Sequence, residues 1–450
     1  MLTESQKAKL VEYKNAVSAP NQAKERLAKL FDDGIYTEID SSVKDGAGVV
    51  AAYGYVDGSP VYAFSQDKSV KSGAVSKQHS AKICKVYDLA AKNGIPVVGI
   101  FDSDGAVVSD GADALAAYSD ILAWTNNLSG VVPQIAVVAG TCIGSAALIA
   151  CSADIVIAAE DAELYLTVGE GRNGSDAAKL GTASVLAESD IEAVESARKL
   201  LSMLPANNIS AAPEFEFSVS SKLAEGKAAD IAEAVADEGS LVELSGEFGK
   251  ASYTAIATVG GSAVGIAATN KTGDKLSSDD SAKLARFVRT CDAFSIPVVT
   301  IIDTEGFESN DNIRDIAKLA NAYAEATTLK ISVVTGKAYG SAMVALGTAN
   351  ADMTFAYPDA VISPIAPVTA VEFLWHDKLK GAADVKVERE KLAAEYAETE
   401  VSAFAAAEKG CVDEIITPDE ARAKIVAVLD LMAGKRLNKR LPKKHSNMPF

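Results

Sequence analysis

Two stretches, Gly140–Ile157 (GTCIGSAALIACSADIVI) and Gly336–Phe355 (GKAYGSAMVALGTANADMTF), read alike. Each gives the end of an apolar strand, a turn spelling Gly-Ser-Ala and an alanine-rich helix. The likeness continues outward. Asp32–Glu38 aligns with Asp237–Glu243 when Asp33 is laid on Glu238, Gly58–Val61 with Gly261–Val264, and Ile95–Val98 with Ile296–Val299. Order is kept while the separation shrinks slowly, as in a duplication trimmed at its loops. The chain is expected to comprise two homologous halves, residues 1–215 and 216–450. The join falls near Pro205–Pro213, where Pro, Asn and Ser break every periodicity.

Each half reads as strands and helices in alternation. In the first, strands are predicted near Val49–Val56, Val61–Ser65, Val97–Asp102, Ile135–Ala139 and Ile155–Ala158. Between them, Ser76–Lys92 and Ala112–Asn127 carry apolar residues at helical spacing. Strands such as Pro96–Phe101 and Gln134–Ala139 are apolar without alternation, as expected where both faces are covered. The fold class is α/β, with helices packed on sheets. Alanine-rich segments such as Lys391–Ala407 read as helices that close the second half and offer a face to a neighbouring subunit.

Composition bounds the function. Of 450 residues, 48% are hydrophobic and 23% charged, so burying a large core is no obstacle. No apolar run reaches the roughly 18 residues of a membrane span. The polar start MLTESQKAKLVEYKNAV lacks the zones of a secretory signal, which points to the cytoplasm. Five scattered cysteines suggest neither a disulfide framework nor a zinc site. A net charge of -18 argues against nucleic acid and anionic membrane partners. The tail Lys435–His445, with six positive charges in eleven residues, reads either as a frayed terminus or as a site for a phosphate-bearing ligand or acidic partner.

The Gly-Ser-Ala turns carry the chemistry that the sequence offers. A helix starting directly after a buried strand presents unpaired N–H groups and the positive end of its dipole. Two such donors beside a reacting carbonyl form an oxyanion hole, each worth about 3 kcal/mol. The bland alternative is that small residues simply let the helix pack tightly on its strand. Two equivalent copies favour the functional reading. His79, His376 and His445 lie too far apart for a metal site or a Ser-His-Asp triad. Val168–Gly174 misses the glycine spacing of nucleotide loops. Glu305 and Glu308, beside Asp303, are either acid-base groups or solvated loop carboxylates.

Many stretches together resemble the carboxyltransferase subunits of biotin-dependent acyl-CoA carboxylases and decarboxylases, a family similar to the propionyl-CoA carboxylase beta subunit. They include Ala23–Leu27, Val61–Asp67, His79–Ile83, Ser129–Ile135, Leu200–Asn208, Cys291–Val299, Ala322–Ala326, Lys337–Gly340 and Pro442–Pro449. The resemblance implies two tandem crotonase-like halves (the ClpP/crotonase fold), each a ββα superhelix. It implies an enzyme whose first half binds an acyl-CoA thioester of acetyl, propionyl, malonyl, methylmalonyl or glutaconyl type, and whose second half binds biotin held on a separate carrier protein. In that family the N–H groups of Gly144 and Ser145 would hold the thioester enolate. Those of Ser341 and Ala342 would hold the biotin ureido oxygen, with Tyr339 and Gly340 lining the biotin side. No side-chain base and no metal are required. Implied partners are the biotinyl carrier, a biotin carboxylase or membrane decarboxylase subunits, and further copies of the chain in a dimer-based homo-oligomer as large as a hexamer.

The chain departs from the family pattern in places. CAGGA becomes Cys142–Ala146 (CIGSA), YGGA becomes Tyr339–Ala342 (YGSA), DSGGAR becomes Asp102–Val107 (DSDGAV), and PGF becomes Glu305–Phe307 (EGF). Asp104, Val107 and Ser145 among these motivate a second reading, a degenerate carboxyltransferase that serves as an assembly subunit beside an active paralogue. A hydratase or isomerase is a third reading, but it leaves the duplicated half without a role.

Overall fold

The computed structural model describes residues 2–43, 47–167, 169–273, 275–308, 313–347 and 350–435. Val168 of the glycine-rich loop, the basic tail from Arg436, His445 and the Pro442–Pro449 ending lie outside the described residues. The chain divides into two compact units, Met1–Ala212 and Pro213–Phe450.

The first unit is built on β1 (Tyr36–Ile39), β2 (Val49–Val56), β3 (Ser59–Gln66), β4 (Val97–Ser103), β5 (Gln134–Ile143), β6 (Ile155–Ala159), β7 (Glu163–Tyr165) and β8 (Val185–Ala187). They run in the order β1-β2-β3-β4-β5-β6-β8, and β7 pairs with the far end of β5. Pairing is antiparallel from β1 to β3 and parallel onward. The hairpin turn between β2 and β3 needs two residues with positive φ, and Asp57 and Gly58 supply them. Parallel strands need crossovers, and the helices Lys77–Asn93 and Ala112–Leu128 provide two of them. The first is capped by Ser76, whose hydroxyl accepts the His79 N–H, and ends at Gly94 in the left-handed conformation.

The second unit repeats this plan with β9 (Val242–Glu243), β10 (Tyr253–Val259), β11 (Ser262–Ala268), β12 (Val298–Thr304), β13 (Lys330–Tyr339), β14 (Met353–Ala356), β15 (Val361–Ser363) and β16 (Glu414–Ile415). Their order is β16-β14-β13-β12-β11-β10-β9, and β15 pairs with the end of β13 as β7 does with β5. This is the tandem α/β architecture expected from the repeat. Each sheet carries its own core, around Phe64, Val138 and Val156 in one unit and Ile266, Ile331 and Phe355 in the other. At β4 and β12 every residue is buried except Asp303, in keeping with strands covered on both faces.

Lys391–Ala407 is two helices, Val385–Thr399 and Ala403–Glu408. Between them the Ile362 N–H donates to the Val401 carbonyl, and the Ser402 hydroxyl caps the second helix. The alanine content conceals the break, because alanine propensity continues through a cap that only Ser402 marks.

Candidate active site

Each Gly-Ser-Ala turn is set by the backbone of its glycine. β5 runs into Gly144 at φ 61°, ψ −129°, and the helix Ser145–Ala150 begins at once. β13 runs into Gly340 at φ 54°, ψ −129°, ahead of the helix Ser341–Leu346. A side chain at such angles is strained, so glycine is needed to turn the chain from strand to helix without an intervening loop. The Gly144 N–H donates to the Tyr165 carbonyl of β7 at 3.1 Å, and the Gly340 N–H donates to the Ser363 carbonyl of β15 at 2.9 Å.

This corrects one assignment. The Gly144 N–H is engaged and is not a free donor; the role of Gly144 is its positive φ. Among the described residues no acceptor meets the N–H of Ser145 or Ala146 in the first unit, or of Ser341 or Ala342 in the second. These are the open donors of each helix start. Ser145 is half-buried and Ser341 exposed, while the Ala146 and Ala342 methyls are buried under the turn. Tyr339 closes β13 opposite Ser363 and is buried, and that burial raises its hydroxyl pKa.

A second donor stands beside each turn, on the loop that ends the neighbouring strand. The β4–β5 register slips after Phe101 so that Ser103 faces Cys142, and the β12–β13 register slips after Ile302 so that Thr304 faces Ala338. The Ser103 hydroxyl accepts the Gly105 N–H at 3.2 Å, and the Thr304 hydroxyl accepts the Gly306 N–H at 3.1 Å. Gly105 and Gly306 share φ values of 112° and 113°. Their carbonyls accept the N–H groups of Val75 and Leu276, and the chain returns with Val107 bonding Val75 and Glu308 bonding Leu276. Ala106 and Phe307 lie between these bonds, and among the described residues neither N–H meets an acceptor. Sequence reasoning missed both. The signal was there in Asp102–Gly105 (DSDG) and Asp303–Gly306 (DTEG), which repeat at the ends of equivalent strands.

Equivalent carboxylates brace these loops. Asp102 accepts the Thr141 N–H at 3.2 Å, and Asp303 accepts the Lys337 N–H at 2.8 Å. A Cβ on Gly140 or Gly336 would run into the carboxylate, so glycine here makes room for it. The second oxygen differs between halves. Asp102 is bound at 3.0 Å by Arg26, which is itself buried and pairs with Asp190 at 2.8 Å. Asp303 is bound instead by the Asn270 amide, whose oxygen accepts from Lys227 at 2.5 Å.

His79 takes no part in acid-base work. It is fully buried, its Nε2 lies 3.3 Å from the Gln66 amide nitrogen, and burial pulls its pKa down to about 3. The Gln66 oxygen accepts the Asp102 N–H, so His79 belongs to the support of the loop. Glu305 is paired with Lys337 at 2.8 Å. Among the described residues no group of three or more His, Cys, Asp and Glu side chains is placed to hold a metal ion. No described helix is long and apolar enough to cross a membrane.

Two mixed sheets of one plan, each with open backbone donors at equivalent strand ends, make a tandem crotonase-like fold. The chain belongs to the carboxyl transferase domain family, which matches residues 21–448. It is 35% identical to the methylmalonyl-CoA decarboxylase subunit alpha of Propionigenium modestum, over 97% of this chain and 95% of that protein. It is 34% identical to the propionyl-CoA carboxylase beta chain of Saccharopolyspora erythraea, over 95% of this chain and 90% of that one. The structure matches transcarboxylase 12S with methylmalonyl-coenzyme A and methylmalonic acid bound, at a TM-score of 0.92 and 30% identity, covering 100% of this chain and 99% of that one.

Proposed function

We propose that the chain is a carboxyltransferase subunit that moves a carboxyl group between biotin and the α-carbon of an acyl-CoA. The observation that carries this reading is the repeated donor pair, Ala106 with Ser145 in the first half and Phe307 with Ser341 in the second. In the first half the open N–H groups would take the thioester oxygen, which gains charge when the α-carbon loses a proton or a carboxylate. Donors already fixed by β4, β5 and the glycine turn need no reorganisation as that charge appears. In the second half Phe307, Ser341 and Ala342 would hold the ureido oxygen of biotin, with Gly340 and Tyr339 shaping the wall. Both sites fit their groups, because each offers unpartnered backbone donors beside a Gly-Ser-Ala turn. Biotin, brought by a separate carrier protein, supplies the nitrogen that takes or gives the carboxyl group. The acyl group is of the acetyl, propionyl, malonyl, methylmalonyl or glutaconyl type.

The assignment of residues 1–215 to acyl-CoA and 216–450 to biotin belongs to this proposal. So do a dimer-based homo-oligomer, a cytoplasmic location, and a biotin carboxylase or membrane decarboxylase as partner. One observation favours the second reading, an assembly subunit: Asp104 and Glu305 place negative charge in the loops that should stabilise an oxyanion. The test is carboxyl transfer by the purified chain with free biotin and a panel of acyl-CoA esters. Transfer supports the enzyme, and a folded chain that binds neither acyl-CoA nor biotin overturns it.

A further inference from the structure

The two loop carboxylates are not left unanswered. Lys68 Nζ lies 3.1 Å from Asp104, and Lys337 Nζ lies 2.8 Å from Glu305. The two lysines come from different places in the repeat. Lys337 sits in β13, where its N–H binds Asp303; the equivalent residue in β5 is Thr141, whose N–H binds Asp102. Thr141 cannot reach as a cation. Instead Lys68, just after β3, extends over it, donating to its hydroxyl at 2.8 Å while standing 3.5 Å from Asp102. The same tie between loop carboxylate and strand is thus made twice, with lysines of separate origin.

We propose that Lys68 and Lys337 are positioning residues that latch the Asp104–Ala106 and Glu305–Phe307 loops. Each pair fixes the loop that bears the second donor and cancels a negative charge that would oppose the oxyanion. The inference rests on the carboxyl-transfer reading. These side chains are between 35% and 49% exposed, so the pairs contribute little to global stability. Their effect lies in where they hold the loop, and it is open to salt.

The experiment compares Lys68→Met, Lys337→Met, Asp104→Asn and Glu305→Gln, and the doubles Lys68→Met/Asp104→Asn and Lys337→Met/Glu305→Gln, in the full chain. The expected result is a kcat for carboxyl transfer lowered at least about tenfold by either lysine change, short of the roughly 100-fold loss from a 1 Å misplacement. Melting temperature should stay put, and each double should recover part of the loss. Raising salt from ~0.01 M to ~1 M, which shrinks the screening length from about 30 Å to about 3 Å, should slow the natural chain and not the doubles. Hydrogen exchange should quicken at residues 104–107 in Lys68→Met and at residues 305–308 in Lys337→Met. Unchanged loop exchange in Lys68→Met and Lys337→Met overturns the latch. If exchange quickens but no ester is turned over by the natural chain, the latch stands as a structural device and the carboxyl-transfer reading falls.

Discussion

Gly144 and Gly340 adopt one backbone conformation, φ 61° and 54° with ψ −129° in both, at the junction of strand and helix in two sheets of different sequence. The angle lies where L side chains are strained, so each glycine holds a bend that the surrounding sheet imposes. Gly144→Ala has room, since the nearest atom to an added methyl is the Leu166 carbonyl oxygen at 3.9 Å. Its cost is strain alone, about 1–3 kcal/mol. Gly340→Ala also presses on the Pro364 carbonyl oxygen at 3.1 Å and should lose more. Denaturant melts of the two variants check this ranking, and equal or reversed losses contradict it.

The Arg26–Asp102 pair makes a sharper prediction. Both side chains are at most 5% exposed, so removing Arg26 leaves the buried Asp102 carboxylate facing only the part-exposed Lys68 at 3.5 Å among the described cations. Arg26→Met should cost about 3–5 kcal/mol. Adding Asp102→Asn should return part of that loss, because the amide still accepts the Thr141 N–H without carrying charge. Strict additivity in this double-mutant cycle would show that the two groups are not energetically coupled.

His79 makes stability depend on pH. Its folded pKa, about 3, lies below its ordinary value of 6.5, so the unfolded chain takes a proton first as pH falls. The stability contributed by the neutral ring is complete above pH 6.5 and drains away between 6.5 and 3. His79→Gln keeps a polar group beside Gln66 but cannot titrate there. Its unfolding free energy should therefore fall less steeply across that window than the natural chain's, measured by denaturant titration at several pH values. Parallel curves would remove His79 as the cause.

Much of this was legible before any coordinates. Long apolar strands such as Gln134–Ile143 and the capped helix after Ser76 announce themselves, because burial on both faces and a hydroxyl cap are local properties. The repeat exposed the two turns, because only glycine serves at Gly144 and Gly340. What stayed hidden depends on partners distant in sequence. That the Gly144 N–H is engaged follows from β7 pairing with the end of β5, and a three-residue strand leaves almost no pattern. The Ala106 and Phe307 donors arise from bonds that their neighbours make to Val75 and Leu276, which ordinary alanine and phenylalanine do not signal. Asp104 and Glu305 read as departures from a family pattern; only coordinates show that each meets a lysine.

The central claim is that backbone donors at the two helix starts do the chemistry, and proline can delete them cleanly. Ser145 and Ser341 are the first residues of their helices, a position that accepts proline without loss of an internal bond. Carboxyl transfer should be measured with free biotin and malonyl-, methylmalonyl- and glutaconyl-CoA for the natural chain, Ser145→Pro and Ser341→Pro. The account predicts turnover with at least one ester and a loss of about 100- to 1,000-fold in kcat for each variant, with folding intact. Undiminished turnover in both folded variants would contradict it.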